Sequence, residues 1–154
     1  MSSDQSKSTN RHSLHTLAKV LAGRLESKKY IEFSPKTRET LYADLASYLN
    51  KYILTEEDLT NQVREHVSRV SGSLAEQSIN ETEAFQSQKK ALRAKYADNA
   101  VHGLYLKVTL RELCTKVLGF LFDYSGIDEV FGTDDVITQL VMTTIQTFDE
   151  SKLS

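Results

Sequence analysis

The sequence predicts an all-α fold: a compact bundle of five or six helices with a disordered N-terminal tail. Three observations predict it. Apolar residues recur every three or four positions in successive stretches between Leu14 and Phe148. Helix-start signals stand directly before several of those stretches: Ser34-Pro35, Thr55 with Asp58, Asn80 with Glu83, and Thr133. No alternation of apolar and polar residues is long enough to build a sheet.

Residues 1–12, MSSDQSKSTNRH, are small, polar and aperiodic and read as the tail, leaving 13–150 as one helical domain. In SLHTLAKVLAGRLESKK, Leu14, Leu17, Ala18, Leu21 and Leu25 share a face, and Lys28 and Lys29 suit the negative end of the helix dipole. YIEF, residues 30–33, is a connector, either extended or a tight turn. Ser34 is placed to cap the next helix, and Pro35 fits its first turn, where a missing N–H costs nothing. That helix carries Leu41, Leu45, Tyr48, Leu49 and Tyr52 and runs to about Leu54.

Thr55 and Asp58 have the spacing of a capping box, and Glu56, Glu57 and Asp58 suit the positive helix end. The helix that follows carries the stripe Leu59, Val63, Val67, Val70, Leu74, with Glu65 and Arg69 spaced for an exposed ion pair. Gly72 kinks or ends it. Asn80 and Glu83 open the next, whose inward residues are Phe85, Leu92 and Tyr96. VHGLYLKVTLRELCTKVLGFLFDY reads as the most buried helix, with Gly103 and Gly119 permitting close packing. SGIDEVFGTDD is a loop with at most one helical turn, and Thr133 or Asp134 caps a last helix facing inward through Ile137, Leu140, Val141, Thr144 and Phe148.

Composition narrows the function classes. With 154 residues, 40% hydrophobic and 26% charged, the chain can hold a core without disulfides or metal. Its one cysteine, Cys114, lies among apolar neighbours and reads as a small hydrophobe rather than a nucleophile. The N-terminus lacks the apolar stretch of a signal peptide, and VLGFLF is far too short to span a bilayer, so the expectation is a cytoplasmic protein with no membrane partner. The net charge of −2 gives no global drive toward nucleic acid. Charge is uneven, however. From Ala84 to Lys116 seven basic residues face two acidic ones, and from Leu118 onward seven acidic residues face only Lys152. Solvated helix faces account for this, as would docking between copies.

Few residues point to chemistry. His12 and His15 have chelating spacing but no third ligand nearby, so no metal site is expected. His66 follows Glu65 without forming a His-Glu-x-x-His pattern, because adjacent helical residues diverge. The carboxylates of 123–135 lack the spacing of a calcium loop and read as caps and loop charges. No catalytic residue and no cofactor is assigned. The basic stretch Lys89, Lys90, Arg93, Lys95 with Tyr96 is the candidate nucleic-acid patch, with a solvated helix face as the simpler alternative. Tyr30, Phe33, Lys36 and Arg38 form the candidate partner surface, because surplus aromatics beside basic residues mark interfaces. Gap-filling between helices would explain the same aromatics.

The order of HTLAKVLAGRLESKKYIEF, RETLYADLASYLNKY, LTNQVREHVSRV and KKALRAKYADN resembles the bacterial family of unknown function DUF507 across residues 14–99. EAFQSQKKAL stands where that family often has a Glu-Trp-Asp segment, and the chain has no tryptophan. The resemblance implies a small bacterial cytoplasmic helical protein, carries no catalytic residue or cofactor to transfer, and leaves open whether the region after Asn99 belongs to the family. The functional expectation is a non-catalytic interaction module that binds a protein partner or itself, with nucleic-acid binding as the alternative.

Overall fold

The computed structural model describes residues 9–152. They form α1 (Arg11–Ser27), β1 (Ile31–Phe33), α2 (Arg38–Leu49), β2 (Ile53–Thr55), α3 (Glu56–Arg69), α4 (Ser71–Glu76), α5 (Glu81–Lys95), β3 (Ala100–Val101), β4 (Leu104–Leu106), α6 (Leu110–Asp123), β5 (Ile127–Val130) and α7 (Asp134–Thr147). The chain is mainly helical, as its periodicity requires. The helices do not form one bundle of five or six. Four of them, α1, α2, α6 and α7, make the bundle, and α3, α4 and α5 form an arm inserted between its halves.

Named contacts fix the direction of each bundle helix. Glu26 meets Arg38 and His15 meets Tyr42, so α1 and α2 are antiparallel. Tyr48 packs on Phe120 while Asp44 accepts from the Tyr124 hydroxyl at 2.6 Å, which makes α6 antiparallel to α2. Arg24 reaches Thr144 at 3.3 Å and the Ser13 hydroxyl donates to Glu150, which makes α7 antiparallel to α1. The result is an up-down-up-down bundle. Leu17, Leu21, Leu25, Leu41, Leu45, Leu49, Leu113, Val117, Ile137, Val141 and Ile145 fill its centre, all essentially inaccessible. Each such side chain contributes about 1.5–3 kcal/mol by leaving water.

The α2–α6 seam is filled by rings. Tyr48, Tyr52, Phe120 and Tyr124 stack in series with centroids 5.0–5.5 Å apart, and the Lys116 ammonium lies 4.9 Å over Tyr52. Tyr48 and Tyr52 therefore fill the gap between the two helices. Gly119 on α6 has nothing within 4 Å of where a Cβ would stand, so packing inside the chain does not require the roughly 1 kcal/mol of helix propensity it forfeits.

The structure corrects the all-α expectation with two small sheets, one at each end of the bundle. β1 pairs with β5 antiparallel, and β2, β4 and β3 form the other in the order β2-β4-β3. These strands have two to four residues, too few for an alternating pattern to separate from a helical one. Residues 100–106 are thus a hairpin rather than the start of α6. Its two-residue turn is His102-Gly103, with φ of 46° and 87°, as a primed turn needs. The 127–130 stretch is strand β5, not a helical turn, and α2 stops at Leu49 rather than near Leu54.

Caps set most helix ends. Asn10 and Ser13 form a reciprocal capping box on α1, as do Thr55 and Asp58 on α3. Asn80, Thr109 and Thr133 accept first-turn amides of α5, α6 and α7. Ser34 makes no such side-chain bond. Pro35–Thr37 form a 3-10 turn before α2 instead. Gly72 falls just past the end of α3, inside α4. The expected tail reached residue 12. Residues 1–8 lie outside the described residues, while Thr9 is buried and Arg11 and His12 already belong to α1.

Candidate interaction site

The arm leaves the bundle at β2 and returns at β3 and β4. α3 presents Leu59, Val63 and Val67 to α5, which covers them with Leu92 and Phe85 but buries none of its own residues fully. A second, smaller core of Leu54, Leu59 and Tyr105, flanked by Leu92 and Tyr96, lies at the base of the arm. Leu59, Val63 and Val67 are buried in that seam. Grooves open on both flanks. One, of about 470 Å³ and mainly polar, is lined by Arg64, Val67, Ser68, Ser71, Glu81, Thr82 and Phe85. The other, of about 320 Å³, is lined by Val63, His66, Gln88, Ala91, Leu92 and Lys95.

What ties α3 to α5 and to the returning strand β4 is a buried carboxylate. Glu56, the first residue of α3, is 8% exposed. The Arg93 guanidinium donates to it twice, Nη2 to Oε1 at 2.9 Å and Nε to Oε2 at 3.2 Å. The Lys89 ammonium lies 3.4 Å from Oε1, and the Tyr105 hydroxyl of β4 donates to Oε2. Burial alone would raise the Glu56 carboxyl. The hydrogen bonds from Arg93 and Tyr105 and the two cations outweigh it and hold the group below its ordinary value. Burial, then the bond to Glu56, raises the Tyr105 phenol.

Thr9 ties the same corner. Its hydroxyl accepts the Glu56 N–H at 2.8 Å and donates to the Gly103 carbonyl at 2.6 Å, and its own carbonyl accepts the Glu57 N–H at 3.0 Å. The N-terminal segment, the arm and the hairpin thereby share one satisfied network. Among the described residues no buried side-chain polar atom lacks a partner.

This placement changes the reading of both candidate surfaces. In the basic stretch, Lys89 and Arg93 turn inward to Glu56, while Lys90 and Lys95 stay exposed, with Lys95 5.5 Å from the Tyr96 ring. Two of its four cations are thus committed inside the chain. In the other candidate surface, Phe33 is 4% exposed and belongs to the core, and Tyr30 packs against Gly132 and Ile137. Arg38 faces Glu26 at 3.9 Å, and only Lys36 stands fully exposed. Those aromatics are therefore structural. The exposed aromatics are Phe122, at 55%, and Phe131, at 58%.

Elsewhere the side chains keep simple roles. Cys114 is wholly buried and burial pushes its thiol up to about 11. His12 and His15 stack with centroids 6.1 Å apart. Among the described residues no three His, Cys, Asp or Glu side chains converge as metal ligands. Glu65 and Arg69 form the exposed ion pair at 2.9 Å. His102 Nδ1 is 4.0 Å from Asp149, which is buried. No described helix is long and apolar enough to cross a membrane.

Sequence reasoning missed Glu56, Tyr105 and Thr9 as a unit. Glu56 occupies a first-turn position where any acid is favoured, so nothing local distinguishes it from Glu57. Its partners lie 37 and 49 residues away.

The model of the family described as a protein of unknown function, DUF507, matches residues 9–153. It therefore runs on through the hairpin, α6 and α7, past the Asn99 limit of the resemblance. No curated protein and no solved structure matches the chain. Bundle and arm alike fall within the match, and the chain belongs to the DUF507 family.

Proposed function

We propose that the protein is a non-catalytic interaction module of the bacterial cytoplasm, and that its arm is what a protein partner engages. The arm's construction carries the reading. α3 and α5 pack along a seam with a groove open on each flank, and the Glu56 network ties that pair to β4. Preformed grooves, one mainly polar and one mainly apolar, suit docking of an amphipathic partner helix, because little ordering cost remains at binding. The titratable groups that do converge, Glu56, Lys89, Arg93 and Tyr105, satisfy one another, which favours a structural role over acid–base chemistry.

The test is retention of partners from the source cell on the immobilised full chain. Ser68→Trp fills one groove and Gln88→Trp the other. We expect a protein retained by the unmodified chain to be lost with one of these, at unchanged circular dichroism. Retention indifferent to both substitutions overturns the arm as the site.

Nucleic-acid binding is the second reading, favoured by exposed Lys90 and Lys95 beside Tyr96. Phosphate contacts appear first at low salt. An absence of RNA and DNA binding there eliminates this reading.

A further inference from the structure

The outer face of α6 and α7 is built unlike the other surfaces of the bundle. On α6, Lys116 and Phe120 turn toward α2. Helical geometry then puts Arg111, Thr115, Leu118 and Phe122 on the opposite flank, beside Gly119. Phe122 is more than half exposed. On the adjoining α7 no residue from Val136 to Phe148 carries a charge, although Val136, Gln139, Thr143, Gln146 and Thr147 are all exposed. Helix faces meant for water are normally charged, and depletion of charge around an exposed aromatic marks the centre of an interface. Gly119 fits the same account: exposed and without a packing duty inside the chain, it lets another backbone come close.

Charge then identifies the occupant. Because α6 and α7 are antiparallel, the two ends of this face differ. One end carries Asp134 and Asp135 at the start of α7, with Asp128 and Glu129 in the strand before it, all exposed. The other end carries Lys107 and Arg111. Glu112, also exposed there, lies about 20° round the helix from Gly119 and leaves this end with a single net positive charge. Asp149 is buried near His102, and Glu150 accepts from Ser13. A basic end, a charge-free middle and an acidic end are complementary to the same face rotated by half a turn.

We propose that the α6–α7 face is the interface of a two-fold symmetric homodimer, with Arg111 of each copy opposite Asp135 of the other and Phe122 packed over the partner's Gly119 region. The proposal rests on the interaction-module reading but not on the arm, which stays free in such a dimer. Two helices each about 21 Å long and together about 20 Å wide offer about 420 Å² per copy, about 840 Å² in all, the size of a weak, transient interface. Weak association, in the upper micromolar range, is expected.

The experiment is sedimentation velocity of the full chain from about 5 to 500 µM, a range set to bracket that affinity. The expected mass climbs from 17.4 kDa toward twice that value. Phe122→Glu should stay monomeric throughout. Gly119→Gln, which improves helix propensity and so cannot fail by unfolding, should weaken association at least tenfold. Arg111→Glu and Asp135→Arg should each weaken it about tenfold, and together restore it to within about threefold of the unmodified chain. A strict monomer at 500 µM overturns the proposal. So does a dimer indifferent to Phe122→Glu and Gly119→Gln, or a double reversal that fails to restore it. A dimer lost only with Ser68→Trp or Gln88→Trp transfers self-association to the arm and overturns this face, whereas failure of partner retention by the arm leaves it untouched.

Discussion

Glu56 and Arg93 meet through two parallel hydrogen bonds, 2.9 and 3.2 Å long, across the seam between α3 and α5. The pairing is fork to fork, the geometry in which a guanidinium holds a carboxylate most tightly. Glu56 is buried while the Arg93 side chain is about half exposed, so the carboxylate depends on the pair far more than the guanidinium does.

We expect Glu56→Gln to destabilise the protein by about 3 kcal/mol. That is the low end for breaking a buried pair, because Arg93 can turn to water. For a chain of this size the melting midpoint should fall by roughly 6–12 °C. Glu56→Ala should cost more, since the Tyr105 hydroxyl then loses its acceptor as well. A shift under 2 °C for both would show that the network does not hold the arm.

Thr9→Val keeps the shape but removes one hydroxyl. It leaves the Glu56 N–H without its acceptor and the Gly103 carbonyl without its donor. A loss of about 2–3 kcal/mol is expected, measured as a lower urea midpoint at unchanged slope.

Stability should fall at both pH extremes for different reasons. Glu56 is held below its ordinary 4.5, so its contribution is present above that pH and is lost as pH falls through the folded value. Cys114, Tyr124 and Tyr105 are all raised, the first two to about 11 and about 12. Burial is the main cause in each, with the Asp44 and Glu56 bonds adding to the two tyrosines. The folded protein keeps these protons longer than the unfolded chain, so stability is full below about pH 9 and declines as pH rises through the folded values. Urea midpoints from pH 3 to 11 check both limbs, and a flat alkaline limb would contradict the buried placement of Cys114.

Gly103 adopts a φ of 87° in the β3–β4 turn. Gly103→Ala should therefore cost about 1–2 kcal/mol by circular-dichroism melting. It should also loosen Tyr105, next but one along the chain, which hydrogen exchange across residues 100–106 would register.

How much of this was legible in the sequence varies with the range of the interaction. Periodicity and caps are local, and they placed α1, α3, α5 and α7 to within a few residues. The Glu65–Arg69 pair and the burial of Cys114 followed from the same information. The hairpin did not, because Val-His-Gly-Leu-Tyr-Leu fits a helical stripe as well as two short strands. Only the Gly after His102, at a two-residue spacing between apolar runs, hinted otherwise. Phe33 was misread because an aromatic in a connector looks exposed until β5 is known to pair beside it. Lys89 and Arg93 looked like a free basic face because the acid they serve stands 37 residues earlier than Arg93.

The antiparallel pairing of β2 with β4 has a consequence for how this chain is assembled. Thr55 stands opposite Leu104, so the strands on either side of the arm are already hydrogen-bonded neighbours. Removing residues 56–103 and closing the gap with a two-residue turn would leave an ordinary hairpin joining α2 to α6. The arm is thus an excursion between two strands that already pair, so its length and sequence are not what joins the two halves of the four-helix scaffold.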